Sequence, residues 1–324
     1  MAVHHHEGIK CVGLEDCCDF SSSSDLCICM VTWNMNGQVR YEDIEKLVGI
    51  RDHQRRFDLL AVGLQEAPRK DISRLLQTAL VQTHVLLGKA VMQSVQLYVF
   101  GPKNKSEVFL KEVKMDKHGV GGFGGLVRRK KGAVGIRMKY KGVGLLFISC
   151  HLSAHAGKVE ERNREWREIS RSLFSEEWNP YSRPPHVTVW LGDLNYRLQG
   201  IAASPAATLM HHNLHQQQLT SKDQLLQEAE RGQVFNGYLE GILTFKPTYK
   251  FDIGSSTYDT SHKVRVPSWT DRILFKIEEL DNIQASLHSY ESIDTIHSSD
   301  HRPVQAHLCF KLSQACSSQT QHSN

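Results

Sequence analysis

The sequence lacks the features that place a protein in a membrane or direct it to secretion. No apolar run approaches the roughly 20 residues of a membrane-spanning helix. The first ten residues are polar and rich in histidine, unlike a secretory signal peptide. Alanine at position 2 excludes myristoylation, and the C-terminus has no prenylation box. We therefore expect a cytoplasmic protein whose contact with membranes, if any, is peripheral.

An excess of one charge is also missing. The 39 Lys and Arg residues nearly balance the 35 Asp and Glu residues, and a net charge of +4 is too small to define a partner. The local exception is the run Arg-Arg-Lys-Lys at 128–131, followed by Arg137 and Lys139. This run fits either a solvated loop or contact with an anionic surface, where each basic residue contributes about 1 kcal/mol.

None of the eight cysteines has the Cys-x-x-Cys spacing of a zinc site. Without a secretory signal, we expect reduced thiols. Five of the cysteines lie near the start, and Cys27 and Cys29 fall in a predicted buried strand.

Internal repeats are absent, and no Pro-, Ser- or Gly-rich linker divides the middle of the chain. We expect one domain over 25–312, with disordered tails over 1–24 and 313–324. Helices are predicted near 41–57, 71–83, 158–174 and 204–229. Strands are predicted near 26–33, 59–64, 95–100, 133–138, 144–150, 187–191, 273–277, 283–289 and 304–310. Strands outnumber helices and alternate with them irregularly, which suits an α/β fold of two packed sheets flanked by helices.

Several polar residues follow the ends of predicted strands, where rigid scaffolds present functional sites. They are Asn34, Glu66, His151, Asp193 and His301. Taken singly, three of them have an ordinary structural explanation: Asn34 lies near an Asn-Gly turn, Glu66 fits an exposed acid, and His151 fits a structural histidine.

Two strings together predict phosphate ester hydrolysis. One is Trp-Leu-Gly-Asp-Leu-Asn at 190–195, and the other is Ser-Ser-Asp-His-Arg-Pro at 298–303. They supply a base, an amide for an oxyanion and a histidine beside an acid. Asp271 could orient His301, and Glu66 could bind Mg²⁺, a hard cation that takes carboxylates and substrate oxygens.

These motifs closely resemble those of the inositol polyphosphate 5-phosphatases, in the superfamily that includes deoxyribonuclease I. The resemblance covers about 27–311. It rests on the segments at 190–197, 245–250 and 267–274, and on the motifs around Asn34, Glu66, His151 and His301. Without an attached repeat or adaptor domain, the chain is most similar to the small single-domain plant members.

The resemblance implies a four-layer α/β/β/α sandwich of the deoxyribonuclease I type, and Mg²⁺ bound through Glu66 with Asn34 nearby. It implies that Asp193 activates water and that Asn195 and His151 hold phosphoryl oxygens. His301, oriented by Asp271, would stabilise developing charge, and Asp300 would support the metal–water network. The residues implied for the 4-phosphate are Tyr249, Lys250, Lys263 and Arg265.

Two departures from the family pattern stand out. Arg129 and Lys130 precede Lys131-Gly132 where the family has Asn before Lys-Gly, and Thr270 replaces a common Cys. We interpret Thr270 as a packing variation. The glycines Gly119, Gly121, Gly122, Gly124 and Gly125 suggest a flexible turn, since no Walker lysine accompanies them.

The resulting expectation is a monomeric, Mg²⁺-dependent phosphatase that removes the 5-phosphate of phosphoinositides such as phosphatidylinositol 4,5-bisphosphate at a membrane surface, in phosphoinositide signalling. Nucleic acid is not an expected partner. One alternative is a nuclease of the same superfamily, which would not need Lys250, Lys263 and Arg265 at this spacing. The other is a catalytically dead lipid-binding module.

Overall fold

A computed structural model describes residues 8–16, 25–49, 57–104, 106–121, 131–177, 184–278 and 283–311. Its first seven strands are β1 (Lys10–Val12), β2 (Asp25–Asn34), β3 (Leu59–Gln65), β4 (His84–Met92), β5 (Val95–Pro102), β6 (Leu110–Gly119) and β7 (Gly132–Tyr140). The other strands are β8 (Val143–His151), β9 (Val187–Asp193), β10 (Leu239–Gly241), β11 (Asp271–Ile277), β12 (Gln284–Ser292) and β13 (Val304–Lys311).

The helices are α1 (Tyr41–Leu47), α2 (Ile72–Leu80), α3 (Ser106–Phe109), α4 (Val159–Ser172), α5 (Ala203–His211), α6 (His215–Leu219) and α7 (Gln224–Glu230). Short 3₁₀ turns cover Ser175–Glu177 and Thr220–Lys222. In the described part of the chain, no helix has the length and apolar character needed to cross a bilayer.

The strands form two mixed sheets. The first sheet has the order β1-β10-β11-β9-β8-β7-β6, and the second has the order β12-β13-β2-β3-β5-β4. Alternate side chains of both sheets, such as Met30 and Leu308 from one and Phe147 and Val189 from the other, form the core between them. The sheets therefore pack face to face.

Helices cover the outer faces of both sheets. Ile44 of α1 and Leu76 of α2 pack on Val31 of the second sheet. Ile169 of α4 and Leu225 of α7 belong to a separate cluster on the first sheet. This arrangement confirms the predicted α/β/β/α sandwich.

Parallel pairing at the centre of each sheet brings the site-bearing strand ends together. In the second sheet Asn34 of β2 lies opposite Gln65 of β3, just before Glu66. In the first sheet His151 of β8 lies opposite Asp193 of β9. Parallel strands end at the same edge, so each sheet presents two adjacent polar side chains there.

The nine predicted strands are all present, but β1, β4, β6 and β10 were not predicted. Strand β6 is polar and lies at the edge of its sheet, so it lacks a regular apolar alternation. The helix predicted over 41–57 ends at Leu47, and Gly49 adopts φ +66°, a left-handed conformation that favours glycine. Residues 50–56 lie outside the described residues.

The prediction of a disordered tail over 1–24 is wrong for 8–16. There, β1 pairs in parallel with β10, Lys10 opposite Leu239, and the Glu15 amide donates to the Leu287 carbonyl. The open edge of β10 supplies the hydrogen-bond partners, which local composition could not indicate. Residues 1–7, 17–24 and 313–324 lie outside the described part of the chain.

The expectation of reduced thiols is wrong for one pair, because the structure joins Cys27 and Cys309 in a disulfide. The physical reason is register: the two residues lie directly opposite each other on the antiparallel strands β2 and β13, with Cα atoms 4.2 Å apart.

A buried ion cluster stabilises the first sheet. The guanidinium of Arg272 donates two hydrogen bonds of 2.6 Å to the Glu240 carboxylate and one of 2.9 Å to Asp223. Tyr290 of the second sheet also donates to Glu240, at 2.8 Å. Buried charges are tolerated only when paired in this way. The cluster therefore connects β10, β11 and the N-terminus of α7 to β12.

We expect Glu240→Ala to lower the free energy of unfolding by about 3–5 kcal/mol, because it leaves the buried Arg272 charge without its bidentate partner. Urea denaturation measures the change. The exposed Glu230→Ala is the matched control, with an expected change within about 0.5 kcal/mol. Equal losses in the two variants would contradict the role given to the cluster.

Candidate active site

The carboxylate of Asp193 is the centre of the site. It is 1% exposed at the end of β9. Its Oδ2 accepts a hydrogen bond of 2.9 Å from Asn34 Nδ2 and lies 3.3 Å from His151 Nε2. Its Oδ1 accepts a hydrogen bond of 3.0 Å from the backbone N–H of Asn195. The two sheets therefore meet at one carboxylate.

The glycine before Asp193, Gly192, allows strands β8 and β9 to approach each other closely at this point. A Cβ on Gly192 would lie 2.0 Å from the backbone oxygen of Cys150, and the residue has φ +153°. Strands β8 and β9 can therefore pair this closely only with glycine at this position.

The surroundings of Asp193 favour its charged form. Burial alone would raise the pKa of this carboxyl, but the hydrogen bond with His151 and the nearby charges of His301 and Lys131 hold its pKa well below the ordinary range. The group is thus a carboxylate at neutral pH.

His301 and Asp271 form an oriented pair beside Asp193. His301 Nδ1 lies 2.9 Å from Asp271 Oδ2, and its Nε2 lies 4.0 Å from Asp193 Oδ2. The hydroxyls of Thr248 and Thr270 also donate to Asp271 Oδ2, at 2.7 and 2.8 Å. Thr270 is therefore more than the packing variation inferred from the sequence, because its hydroxyl helps to fix the acid that orients the histidine.

The acids around His301 favour its protonated form. Burial would lower the pKa of the imidazole, but the charge and hydrogen bond of Asp271, with the charges of Asp193 and Asp300, raise the pKa to about 9. The imidazolium is thus able to donate from Nε2 towards the centre of the site.

Glu66 is the most accessible acid at this edge. Its side chain is 46% exposed, and Oε1 lies 3.8 Å from His151 Nε2. Asn34 Oδ1 accepts a hydrogen bond of 3.0 Å from the backbone N–H of Asn36 and keeps a second lone pair. These carboxylate and amide oxygens are the donors that a hard divalent cation takes, so the residues present fit such an ion.

Three other potential ligands, from Asp193, Asp271 and His301, lie within 4.8 Å of one another. Asp271 Oδ2, however, already faces His301 Nδ1 and two threonine hydroxyls. We therefore interpret Asp271 and His301 as an orienting pair.

Asn195 is held on both sides of its amide. Its Nδ2 donates to the Leu152 carbonyl at 3.0 Å, and Arg197 Nη2 donates to its Oδ1 at 2.5 Å. The second Nδ2 hydrogen stays available for an oxyanion. Arg197 also stacks on the Tyr249 ring, 4.2 Å from its centroid, and thus connects Asn195 to the next loop.

Asp300 lies on the loop before His301 and is half-buried. Burial raises the pKa of its carboxyl above the ordinary value. The loop is fixed by Ser299, whose hydroxyl donates to the Asn34 carbonyl at 2.7 Å and accepts the His301 amide at 3.1 Å. Ser299 therefore fixes the position of His301 relative to Asn34.

The residues expected at the 4-phosphate lie on one side of His301. The ring of Tyr249 is 4.5 Å from the His301 ring. Lys250 Nζ lies 3.4 Å from Asp259 Oδ1, while Asp259 Oδ2 accepts the Arg265 amide at 2.8 Å. Lys263 is exposed on the same loop. The structure thus brings the loops of Lys250 and Arg265 together at Asp259.

Sequence reasoning missed five residues of the site: Lys131, Arg197, Thr248, Asp259 and Thr270. Lys131 Nζ contacts His151 Nε2, and burial lowers the pKa of this lysine. Its position at the end of the basic run was the available signal. Residues 122–130, with Arg129 and three of the glycines, lie outside the described residues.

Comparison with known proteins agrees with this geometry. The profile of the Endonuclease/Exonuclease/phosphatase family 2 matches residues 31–307. The chain is 59% identical to the type IV inositol polyphosphate 5-phosphatase 11 of Arabidopsis thaliana, over 94% of this chain and 89% of that protein. It is 32% identical to human phosphatidylinositol 4,5-bisphosphate 5-phosphatase A, over 88% of this chain but 31% of that longer protein.

A solved structure shows the same fold with a related sequence. The inositol polyphosphate 5-phosphatase domain of SPsynaptojanin, in complex with inositol (1,4)-bisphosphate and a calcium ion, superposes with a TM-score of 0.76. Identity is 28%, and the match covers 91% of this chain and 88% of that one.

Fold and site together define a member of the endonuclease/exonuclease/phosphatase class. Within that class, the chain belongs to the inositol polyphosphate 5-phosphatase family, and it is an enzyme of that family.

We expect Thr248→Val to lower kcat by about tenfold with little change in KM, because the buried Asp271 loses one hydrogen bond and orients His301 less well. Steady-state phosphate release measures both constants. The exposed Thr78→Val on α2 is the control and should match the wild type. An unchanged kcat in the folded Thr248 variant would mean that Asp271 does not depend on this hydroxyl.

Proposed function

We propose that the chain removes the 5-phosphate of phosphoinositides such as phosphatidylinositol 4,5-bisphosphate, by direct attack of water and with Mg²⁺ as cofactor. The observation that carries the proposal is the position of Lys250, one residue from the Tyr249 ring that contacts His301. A cation suited to a neighbouring phosphate therefore adjoins the hydrolytic centre. The names of the Arabidopsis and human relatives support a 5-phosphate and a phosphoinositide, respectively.

Asp193 is the proposed general base. It is a buried carboxylate whose Oδ1 and Oδ2 are both oriented by hydrogen bonds. A water held against the phosphorus can transfer a proton to this group as its oxygen attacks. Attack is direct, so no covalent phosphoenzyme forms.

Asn195 and His151 are the proposed contacts of the phosphoryl oxygens. Hydrogen bonds with the Leu152 carbonyl and with Arg197 fix the side-chain amide of Asn195, so its second Nδ2–H has a fixed direction. Preorganised donors of this kind stabilise charge that develops in the transition state. Lys131, in contact with His151, adds positive charge at the same point.

His301 completes the set beside Asp193. Asp271 orients its ring through Nδ1, which leaves Nε2 to donate to the developing charge. Asp271 itself is held by Thr248 and Thr270. The pair would thus supply a positive charge that is positioned before substrate binds.

Glu66 and Asn34 would hold the metal, with Asp300 supporting the hydration around it. A bound divalent cation neutralises charge on the phosphoryl group and lowers the cost of nucleophilic attack. The calcium ion in the SPsynaptojanin complex supports a divalent ion in a related domain. Mg²⁺ is the ion we propose, because it is usually bound through one or two carboxylates together with substrate phosphates.

Tyr249, Lys250, Lys263 and Arg265 are proposed to bind the 4-phosphate. Charge-assisted contacts there would fix the inositol ring and align the 5-phosphate for attack. Asp259 holds Lys250 and the loop of Arg265 in place before substrate arrives.

The cellular part of the proposal follows from the substrate. A single catalytic domain over 25–312, acting as a cytoplasmic monomer, would meet phosphoinositides at a membrane surface and take part in phosphoinositide signalling. Nothing in the described site favours nucleic acid over this substrate class, and the catalytic side chains argue against a dead lipid-binding module.

We expect Asp193→Asn to abolish turnover while leaving the fold and substrate binding nearly intact. The amide keeps the shape but cannot take a proton, and loss of a general base costs about 10²–10⁴ in rate. Phosphate release measures kcat, and circular dichroism checks the fold. A kcat close to that of the wild type in a folded variant would remove Asp193 from the mechanism.

We expect activity to vanish in EDTA and to return with Mg²⁺, and Glu66→Gln to need much more Mg²⁺ for half-maximal rate. A Mg²⁺ titration of phosphate release measures this. Glu42→Gln, an exposed acid on α1, is the matched control. Full activity in the chelator would show that the metal assignment is wrong.

We expect Lys250→Ala and Arg265→Ala to impair selectively those headgroups that carry a 4-phosphate. Each loses a charged hydrogen bond of about 1.5–3 kcal/mol, or roughly 10- to 150-fold in kcat/KM. The assay compares 4,5-bisphosphorylated with 5-monophosphorylated soluble headgroups at one ionic strength.

The exposed Lys246→Ala is the control for general electrostatic attraction and should be near neutral. Equal losses on both headgroups would mean that Lys250 and Arg265 serve folding or diffuse attraction, and the 4-phosphate assignment would fall.

A further inference from the structure

A second group of potential metal ligands lies on the outer face of the second sheet. In the antiparallel register of β2 and β13, Cys27 lies opposite Cys309, and Cys29 lies opposite His307. Side chains two residues apart on a strand point to the same face, so the four residues project together. Their neighbours Ile28 and Leu308 point the other way, into the core between the sheets.

Three of these side chains lie close enough together to share one metal ion once the disulfide is opened. The sulfurs of Cys27 and Cys309 and a ring nitrogen of His307 all lie within 4.8 Å of one another. Cys309 Sγ is 3.2 Å from His307 Nε2. The three residues are 5%, 5% and 7% exposed, so solvent has little access to them.

The surroundings hold the imidazole in this position. The rings of Phe57 and His307 pack in a T-shaped arrangement with centroids 4.9 Å apart, and the centroid of the His288 ring lies 5.1 Å from that of His307. The Cys27 amide donates to Asp58 at 2.9 Å, which fixes the start of β2 beside the cluster. The three ligand residues are therefore presented by rigid elements.

Thiolate and imidazole groups suit Zn²⁺ rather than Mg²⁺. The disulfide between Cys27 and Cys309 must first be opened: it takes two electrons and two protons from a dithiol, which becomes a cyclic disulfide, and yields two thiols. We propose that Cys27, Cys309 and His307 then bind one Zn²⁺, each thiol releasing its proton to solvent, with Cys29 as the fourth ligand.

This site is separate from the catalytic centre. Cys27 and Asn34 are seven residues apart on β2, a distance of roughly 23 Å along an extended strand. The same two strands nevertheless lead to the active site, since β2 ends at Asn34 and β13 begins three residues after His301. Disulfide and zinc would thus be two alternative cross-links between strands that position catalytic residues.

The test uses the full chain, reduced with dithiothreitol, desalted without oxygen and titrated with Co²⁺ alone as a spectroscopic substitute for Zn²⁺. We expect one equivalent to bind with a sulfur-to-cobalt charge-transfer band, and Zn²⁺ to displace it. The oxygen ligands proposed at the catalytic centre cannot produce that band. The oxidised chain should show no such band.

Cys309→Ser and His307→Gln should each weaken binding by more than about 100-fold, since loss of an outer-shell partner alone costs 10- to 100-fold. Cys29→Ser should also weaken it. The exposed Cys11→Ser is the matched control and should bind as the wild type does.

Absence of the sulfur band in the reduced wild-type chain would overturn the proposal, and this result does not depend on any variant folding. Wild-type affinity in Cys309→Ser or His307→Gln would also overturn it. Unchanged affinity in Cys29→Ser would overturn the assignment of the fourth ligand.

Discussion

One buried carboxylate sets how the edges of the two sheets must be arranged around the candidate site. Asp193 is almost completely enclosed, and a buried charge is tolerated only when donors and positive groups surround it. Asn34 comes from the second sheet, His151 from the first, and His301 from the loop before β13. Stabilising this charge therefore requires the edges of both sheets to meet, and that meeting point is the proposed active site.

The supporting hydrogen bonds extend this constraint outward. Asp271 orients His301 and is itself fixed by two threonines, while Ser299 joins the His301 loop to the Asn34 carbonyl. Catalytic groups need positioning to within a fraction of an ångström, and such shells of hydrogen bonds provide it. Asp259 plays the same part for Lys250, outside the hydrolytic centre.

The motifs allowed the central strands and the chemistry to be predicted, because buried strands have a strong apolar signal and polar residues at their ends are conspicuous. The sequence could not show β1 or β6, since edge strands depend on partners distant in the chain. It could not show the disulfide between Cys27 and Cys309, which are 282 residues apart and meet only through strand register. Thr248 and Thr270 were overlooked for the same reason: a hydroxyl becomes important only when a buried acid faces it.

We propose that this site removes the phosphate at position 5 and holds the one at position 4. Phosphorus NMR of the products tests it most directly, with the wild-type chain, Mg²⁺ and short-chain phosphatidylinositol 4,5-bisphosphate. We expect the 5-phosphate resonance to disappear as the signal of inorganic phosphate grows, while the 4-phosphate and the diester resonances persist. Loss of the 4-phosphate first, or nicking of abasic DNA with no phosphate release from the lipid, would contradict it.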